Sequence, residues 1–108
     1  MEQQFTVSGT TLTVHLPTEL DHHSAEKIRK ETDRFIRSRN IRCVFFDFAD
    51  TSFMDSSGIG MLIGRYKTMR FMGGTVAAVR VGEAMRRLLT MSGIYKIIDI
   101  YEGVPERF

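Results

Sequence analysis

Near the N-terminus, apolar residues alternate with polar or small residues in two short segments. Residues 5–7 and 12–16 show this alternation, and residues 8–10 lie between them. The alternation predicts a β-hairpin with one buried face, because successive side chains of a strand point to opposite faces. Pro17 ends the second strand, since proline cannot donate a ladder hydrogen bond.

Three segments place their inward residues at the spacing of an amphipathic helix. We predict helices over residues 22–39, about 57–71, and 83–91. The inward positions are, in chain order, Ala25, Ile28, Thr32, Phe35 and Ile36, then Ile59, Leu62, Ile63, Tyr66 and Met69, then Met85, Leu88 and Leu89. Asp21 is the candidate N-cap of the first helix, with Ser24 as the competing choice.

Nearly continuous apolar runs predict strands over residues 41–48 and 75–81, and a last strand covers residues 97–101. Such runs are typical of strands that are covered on both faces. Strands and helices alternate after the hairpin, which implies right-handed crossovers and a parallel portion of sheet. We therefore predict a single α/β domain over residues 1–108, with helices packed on a mixed sheet.

Composition limits the function classes. The chain has 15 Lys and Arg against 13 Asp and Glu, a net charge of +2, which is too small an excess to require a nucleic-acid partner. The single cysteine, Cys43, cannot form an internal disulfide or a cysteine-based zinc site. The sequence carries no signal-peptide pattern and no apolar run of about 20 residues. We therefore expect a cytoplasmic protein that does not span a membrane.

The residues Asp55-Ser56-Ser57-Gly58 fall where a loop enters the second helix. In one interpretation Asp55 or Ser56 caps the helix and does nothing more. In the other, the serines are a regulatory site, because a phosphate there would meet free N–H groups and the positive end of the helix dipole. A catalytic serine fits less well, since a hydrolase elbow has glycine at the position of Asp55, and His15 is poorly placed to act as a base.

A second polar group, Asp21-His22-His23, has residue types that bind metals. Adjacent histidines on a helix point in different directions, so a helix cap with surface histidines is the favoured interpretation, and we expect no metal. The alternative is that Asp21 lies near the serine loop and contributes to a binding surface.

Glycines are frequent in the second helix. Gly58, Gly60 and Gly64 fit neither the dinucleotide-binding motif nor the phosphate-binding loop. Gly60 and Gly64 each cost about 1 kcal/mol relative to alanine inside a helix. Close approach by a neighbouring strand or by a partner protein could offset this cost, and we expect the packing to be inside the fold.

Four segments resemble the STAS-domain anti-sigma factor antagonists, and within them the sporulation type of endospore-forming bacteria. The segments are residues 19–26 (ELDHHSAE), 52–60 (SFMDSSGIG), 64–67 (GRYK) and 91–98 (MSGIYKII). The Met-Asp-Ser-Ser-Gly loop marks the regulatory branch, and Leu-Asp-His-His narrows it to the sporulation type. The resemblance extends from about residue 5 to residue 101.

The resemblance implies a partner-switching cycle without a cofactor or an enzymatic activity in this chain. The unmodified antagonist would bind an anti-sigma factor that is also a serine kinase, and so release the sporulation sigma factor. Phosphorylation of Ser57 from ATP would end this interaction, and a metal-dependent serine phosphatase would restore it. The residues expected to contact the partner are Asp21, Asp55, Ser56, Ser57, Gly58, Ile59 and Gly60.

Two alternatives remain beside this interpretation. A nucleotide-binding STAS protein is disfavoured because no phosphate-loop lysine is present. A scaffold subunit of a signalling assembly is disfavoured because such subunits usually carry an additional N-terminal domain. The family usually ends with a further helix, whereas residues 103–108 leave room for little more than one turn, so the cover over that edge of the sheet is left open.

Overall fold

Strands and helices alternate along most of the chain in the computed structural model, which describes residues 4–105. In chain order the elements are β1 (Phe5–Ser8), β2 (Thr11–His15), β3 (Glu19–Leu20), α1 (His22–Ser38), β4 (Cys43–Asp47), β5 (Phe53–Met54), α2 (Ser56–Phe71), β6 (Thr75–Val79), α3 (Glu83–Met91), a short 3₁₀ helix (Ile94–Lys96) and β7 (Asp99–Ile100). The predicted hairpin and the three predicted helices are confirmed.

A mixed five-stranded sheet lies at the centre, in the order β1-β2-β4-β6-β7. β1 and β2 are antiparallel, and the other neighbours are parallel. One row of residues runs across β2, β4, β6 and β7, because Val14 pairs with Phe46, Phe46 with Ala78, and Ala78 with Ile100. The predicted α/β fold with a mixed sheet is therefore confirmed.

All three helices contribute to one hydrophobic core on the face that this row presents. Its helical members are Ala25, Ile28 and Ile36 of α1, Met61, Leu62 and Met69 of α2, and Met85 and Leu89 of α3. The opposite face carries a smaller cluster that consists of Cys43, Phe45, Ala77 and Val79, with Tyr101 packed against it. Every residue of β4 is buried, as predicted for a central strand.

The structure corrects two predicted apolar positions. Leu88 was assigned to the inner face of α3, but 37% of it is exposed. Ile97 was placed in the last strand, but it is 40% exposed, because residues 94–96 form a 3₁₀ turn and pairing begins only at Asp99. β3 and β5, which form a separate two-stranded parallel sheet, were not predicted.

The described part of the tail follows the sheet. The Val81 N–H donates to the Tyr101 carbonyl (3.0 Å), and the Arg80 N–H donates to the Gly103 carbonyl (3.0 Å). Residues 101–105 contain no helix. The sequence left room for about one helical turn over residues 103–108, and the last three of these residues, 106–108, lie outside the described residues.

Candidate functional site

The two short strands that the sequence did not predict bring the starts of α1 and α2 together. Leu20 pairs with Met54 in parallel, and the Asp55 N–H donates to the Leu20 carbonyl (3.2 Å). Each strand is followed at once by an aspartate and then by a helix. Asp21 and Asp55 therefore occupy matching positions, as the N-caps of neighbouring helices.

Asp21 is the N-cap of α1, and it forms a capping box with Ser24. From the sequence alone, these two residues were competing N-cap candidates. The Asp21 carboxylate accepts the Ser24 N–H (2.9 Å), and the Ser24 hydroxyl oxygen accepts the Asp21 N–H (3.0 Å). The Ser24 N–H, helped by the Ser24 hydroxyl, holds the pKa of this carboxyl below its usual value. Asp21 therefore carries a negative charge at neutral pH, where it complements the positive end of α1.

Asp55 caps α2 in the same backbone conformation, with φ −100° against −98° for Asp21. One oxygen of its carboxylate accepts the Ser57 N–H (2.9 Å) and the Gly58 N–H (3.3 Å). Ser56 is the exposed first residue of the helix. The choice left open between Asp55 and Ser56 as the cap is thus settled in favour of Asp55.

Gly58 is buried, and it allows α2 to begin close to both short strands. A Cβ atom on Gly58 would lie 2.6 Å from Cγ of Met54 and 3.0 Å from Cδ2 of Leu20. These distances are shorter than van der Waals contact, so only glycine fits without movement. The close approach expected at Gly58 is therefore an approach of the helix to its own β3 and β5.

Gly60 lies on the outside, contrary to the expectation that it packs within the fold. It is exposed, and no atom lies within 4 Å of the position of its Cβ. Gly64 also has open space at that position. The neighbouring Ile59 is partly buried and packs against the core. Within residues 4–105, internal packing does not explain the two glycines at 60 and 64.

The half-buried Ser57 contacts the first residue of α1. Its Oγ lies 3.3 Å from Nδ1 of His22, in a hydrogen bond whose donor depends on the tautomer of the ring. Sequence reasoning had treated His22 as a surface histidine. The signal that could have found it is the shared pattern of Leu20-Asp21 and Met54-Asp55, each followed by two polar residues that begin a helix.

The pair formed by Ser57 and His22 lacks the third group of a nucleophilic triad. Among residues 4–105, no carboxylate is hydrogen-bonded to His22. His15, the other candidate base, pairs with Asp47, with 2.8 Å between His15 Nδ1 and the Asp47 carboxylate. His22, the histidine that contacts Ser57, therefore is not the oriented base that serine catalysis requires.

A cavity of about 260 Å³ opens between α1 and α2 beside this contact. It is lined by His22, Ala25, Glu26, Arg29, Ser57, Gly60, Met61 and Arg65. Arg29 donates to Glu26 (2.6 Å), and this hydrogen bond raises the pKa of Arg29. Burial lowers the pKa of Arg65, against the opposing charge of Asp33, whose Oδ1 lies 3.0 Å from Nε of Arg65.

The described residues offer neither a metal-binding cluster nor a membrane-spanning helix. Within residues 4–105, no three His, Cys, Asp or Glu side chains are grouped so that they could hold a metal ion. No helix in this part of the chain has both the length and the apolar character needed to cross a membrane.

Comparison with known proteins gives the family. A profile of the STAS domain matches residues 2–106. An anti-sigma F factor antagonist of Paenibacillus polymyxa is 41% identical over 92 residues, which cover 85% of this chain and 79% of that protein.

Two solved structures are similar over 95% of this chain. The anti-sigma factor antagonist SpoIIAA in its unphosphorylated form matches with a TM-score of 0.75 at 27% identity, over 89% of its own chain. The Bacillus cell fate determinant SpoIIAA in the phosphorylated form matches with a TM-score of 0.74 at 29% identity, over 91% of its own chain. The chain therefore belongs to the STAS domain family, and its homologues there include anti-sigma factor antagonists.

Proposed function

We propose that this protein is a non-enzymatic, cytoplasmic anti-sigma factor antagonist of the sporulation type, switched by phosphorylation of Ser57. In the unmodified form it binds an anti-sigma factor that is also a serine kinase and so releases the sigma factor. A serine phosphatase resets the cycle. The observation that carries the proposal is the placement of the half-buried Ser57 hydroxyl in the first turn of α2, directly beside the start of α1.

The proposed modification is an ordinary phosphoryl transfer. The Ser57 oxygen attacks the γ-phosphorus of ATP, the bond to the bridging oxygen breaks, and ADP leaves. The hydroxyl proton passes to a base of the kinase. The product carries about −1.5 to −2 charges at neutral pH, and it lies in the first turn of α2, where the helix dipole favours an anion.

The same charge would oppose docking. A partner surface that closes over the loop must desolvate the phosphate or meet it with cations. A hundredfold loss of affinity corresponds to about 3 kcal/mol, which one buried and poorly compensated charge can supply. Support for an unchanged fold comes from the nearly equal TM-scores of this chain to SpoIIAA in the unphosphorylated and phosphorylated forms.

Asp21, Asp55, Ser56, Ile59 and Gly60 are the further residues proposed for the contact with the partner. Asp21 and Ser56 are accessible on either side of the Ser57–His22 contact. Gly60 leaves the helix backbone open to a close neighbour. Gly58, proposed at the sequence level as well, lies buried and acts on this surface by fixing how α2 begins.

The first experiment incubates the protein with the anti-sigma kinase of its host and ATP, and then locates the phosphate by mass spectrometry. We expect Ser57 to be modified, Ser57→Ala to stay unmodified and bound, and Ser56→Ala to behave like the parent. Phosphate on Ser56 in the parent protein would overturn the assignment. Calorimetry with GTP and ATP on the protein alone tests the nucleotide-binding alternative, for which we expect no heat of binding.

The second experiment separates a charge effect from a conformational switch. Amide NMR spectra of the unmodified and phosphorylated forms should differ around Asp21 and Ser57 only. Widespread changes in β4 and β6 would refute the local mechanism. Ser57→Asp adds one negative charge with a shorter reach, so it should weaken binding to the kinase in the same direction but less completely.

A further inference from the structure

The contact between Ser57 and His22 joins two elements that are separated by 35 residues in the sequence. The proposed function assigns no role to His22. We propose that, once Ser57 is phosphorylated, the cavity between α1 and α2 holds the phosphoryl group in cis, with the protonated ring of His22 as its direct donor. This inference rests on the proposed function only in taking Ser57 as the modified residue.

Geometry places His22 within reach of the new group. Its Nδ1 already lies 3.3 Å from the oxygen that would carry the phosphorus. The three phosphoryl oxygens extend beyond that oxygen, so rotation of the Ser57 side chain brings one of them to the ring. A doubly protonated imidazole donates from both nitrogens and forms a charge-assisted bond with a phosphate oxygen.

The cavity has room for the group. Its volume is about 260 Å³, and Gly60 forms part of its wall. No atom lies within 4 Å of the position of a Cβ on Gly60, so a larger residue there would project into open space at the cavity. The absence of a side chain at Gly60, which internal packing leaves unexplained, keeps this space free.

The arginines of the cavity are balanced by carboxylates, so a protonated His22 supplies the excess positive charge. Arg29 and Arg65 line the cavity together with one carboxylate, Glu26, which lies one turn after His22. Arg29 is paired with Glu26 and also lies 3.6 Å from the Asp33 carboxylate. Asp33, which does not line the cavity, forms an ion pair with Arg65.

Arg65 is a built feature of the site. Its side chain is only 10% exposed, and its Nη1 is buried without a hydrogen-bond acceptor among residues 4–105. It follows Ser57 by eight residues, about 12 Å along a helix. Arg65 therefore contributes a buried cation to the wall of the cavity, while His22 makes the contact.

The remaining charged neighbours lie at the helix starts. The carboxylates of Asp21 and Asp55 are turned toward their own helices, because each accepts N–H groups of the first turn. His23 follows His22 directly but does not line the cavity. His23 therefore offers a control with the same charge and almost the same sequence position.

The test uses the full chain with phosphoserine incorporated genetically at position 57, so that no kinase is needed. The midpoint of the phosphate's second ionisation, ordinarily near pH 6, is followed by ³¹P NMR. We expect this midpoint to lie lower in the parent than in the His22→Gln variant by about 1 unit, because a neighbouring cation favours the dianion. His23→Gln should match the parent.

Equal midpoints in the parent and in His22→Gln would overturn the proposal. An equal displacement in His22→Gln and His23→Gln would overturn it as well, since it would indicate a general surface charge. Because phosphoserine is encoded, a kinase that ignores Ser57 would refute the proposed function and leave this result unaffected.

Discussion

Alanine at Gly58 and alanine at Gly60 should change stability in opposite directions, although the two positions are only two residues apart in α2. Neither residue has a positive φ, so the backbone of each accepts a side chain. The two positions differ in the space that is available for a Cβ atom. Gly58 is enclosed by Met54 and Leu20, whereas Gly60 has no neighbour within 4 Å of a Cβ.

The magnitudes follow from this difference. Gly60→Ala gains helix propensity alone, so we expect the free energy of unfolding to rise by about 0.5–1 kcal/mol. At Gly58 the new methyl group would lie 2.6 Å from Cγ of Met54, and overpacking of this kind costs about 1–3 kcal/mol. After the gain in propensity is subtracted, Gly58→Ala should lose about 1–2 kcal/mol.

Urea denaturation at one pH measures both variants, with equal slopes required for the comparison. The two variants should differ by about 2–3 kcal/mol, and each kcal/mol corresponds to about 4–8 °C in Tm. A stabilised Gly58→Ala would refute the argument from close approach. A destabilised Gly60→Ala would show that Gly60 has a packing role after all.

The affinity for the anti-sigma kinase tests the role of Gly60 on the proposed docking surface. Gly60→Leu places a large side chain over the cavity and the start of α2, so it should weaken binding to the anti-sigma kinase at least tenfold while Tm stays within a few degrees of the parent. Gly64→Leu is the matched control, because Gly64 also has open space but does not line the cavity. Equal affinities of the parent and Gly60→Leu would remove Gly60 from the docking surface.

Three further predictions concern buried or capping groups. Burial pushes the pKa of Asp47 up, but hydrogen bonds and charge from Arg80 outweigh it and hold the pKa below its usual value. The ionised carboxylate therefore stabilises the fold above about pH 4, and this stabilisation is lost as the pH falls through the folded pKa. In urea denaturation, the stability of Asp47→Asn should therefore depend less on pH below about pH 4 than that of the parent. Burial raises the pKa of Cys43, so a thiol reagent should label it in urea and leave the native protein unlabelled; rapid native labelling would contradict this. Asp55→Ala should cost about 1–2 kcal/mol and Asp55→Asn much less, because asparagine also caps; equal losses in thermal denaturation would mean that the cap is not responsible.

Long periodic segments made most of the fold predictable. Residues 22–38 carry both a helical period and a capping pair, and the two candidates Asp21 and Ser24 turn out to form one reciprocal cap. β4 was predictable from its continuous apolar run, since a strand buried on both faces needs no alternation. In these cases local sequence and tertiary packing require the same residues.

The site was less accessible to sequence reasoning. β3 and β5 have two residues each, too few for any period to be visible, yet their pairing determines which helix starts are neighbours. The contact from His22 to Ser57 depends on that pairing. The exposure of Gly60 could not be predicted either. A glycine inside a helix is destabilising, which indicates that some close contact compensates, but the sequence does not show whether that contact lies inside the fold or on its surface.

The parallel pairing of β3 with β5 explains why a switch can be located here without disturbing the fold. Two strands in parallel register deliver two helices whose N-termini point the same way, so their positive dipole ends add at one place on the surface. Asp21 and Asp55 complement this field from within the chain. A phosphoryl group on Ser57 would complement it from outside, beside His22. The buried Gly58 lets α2 lie against the strands, so the proposed charge would change what the surface presents to a partner and would leave the packing beneath it as it is.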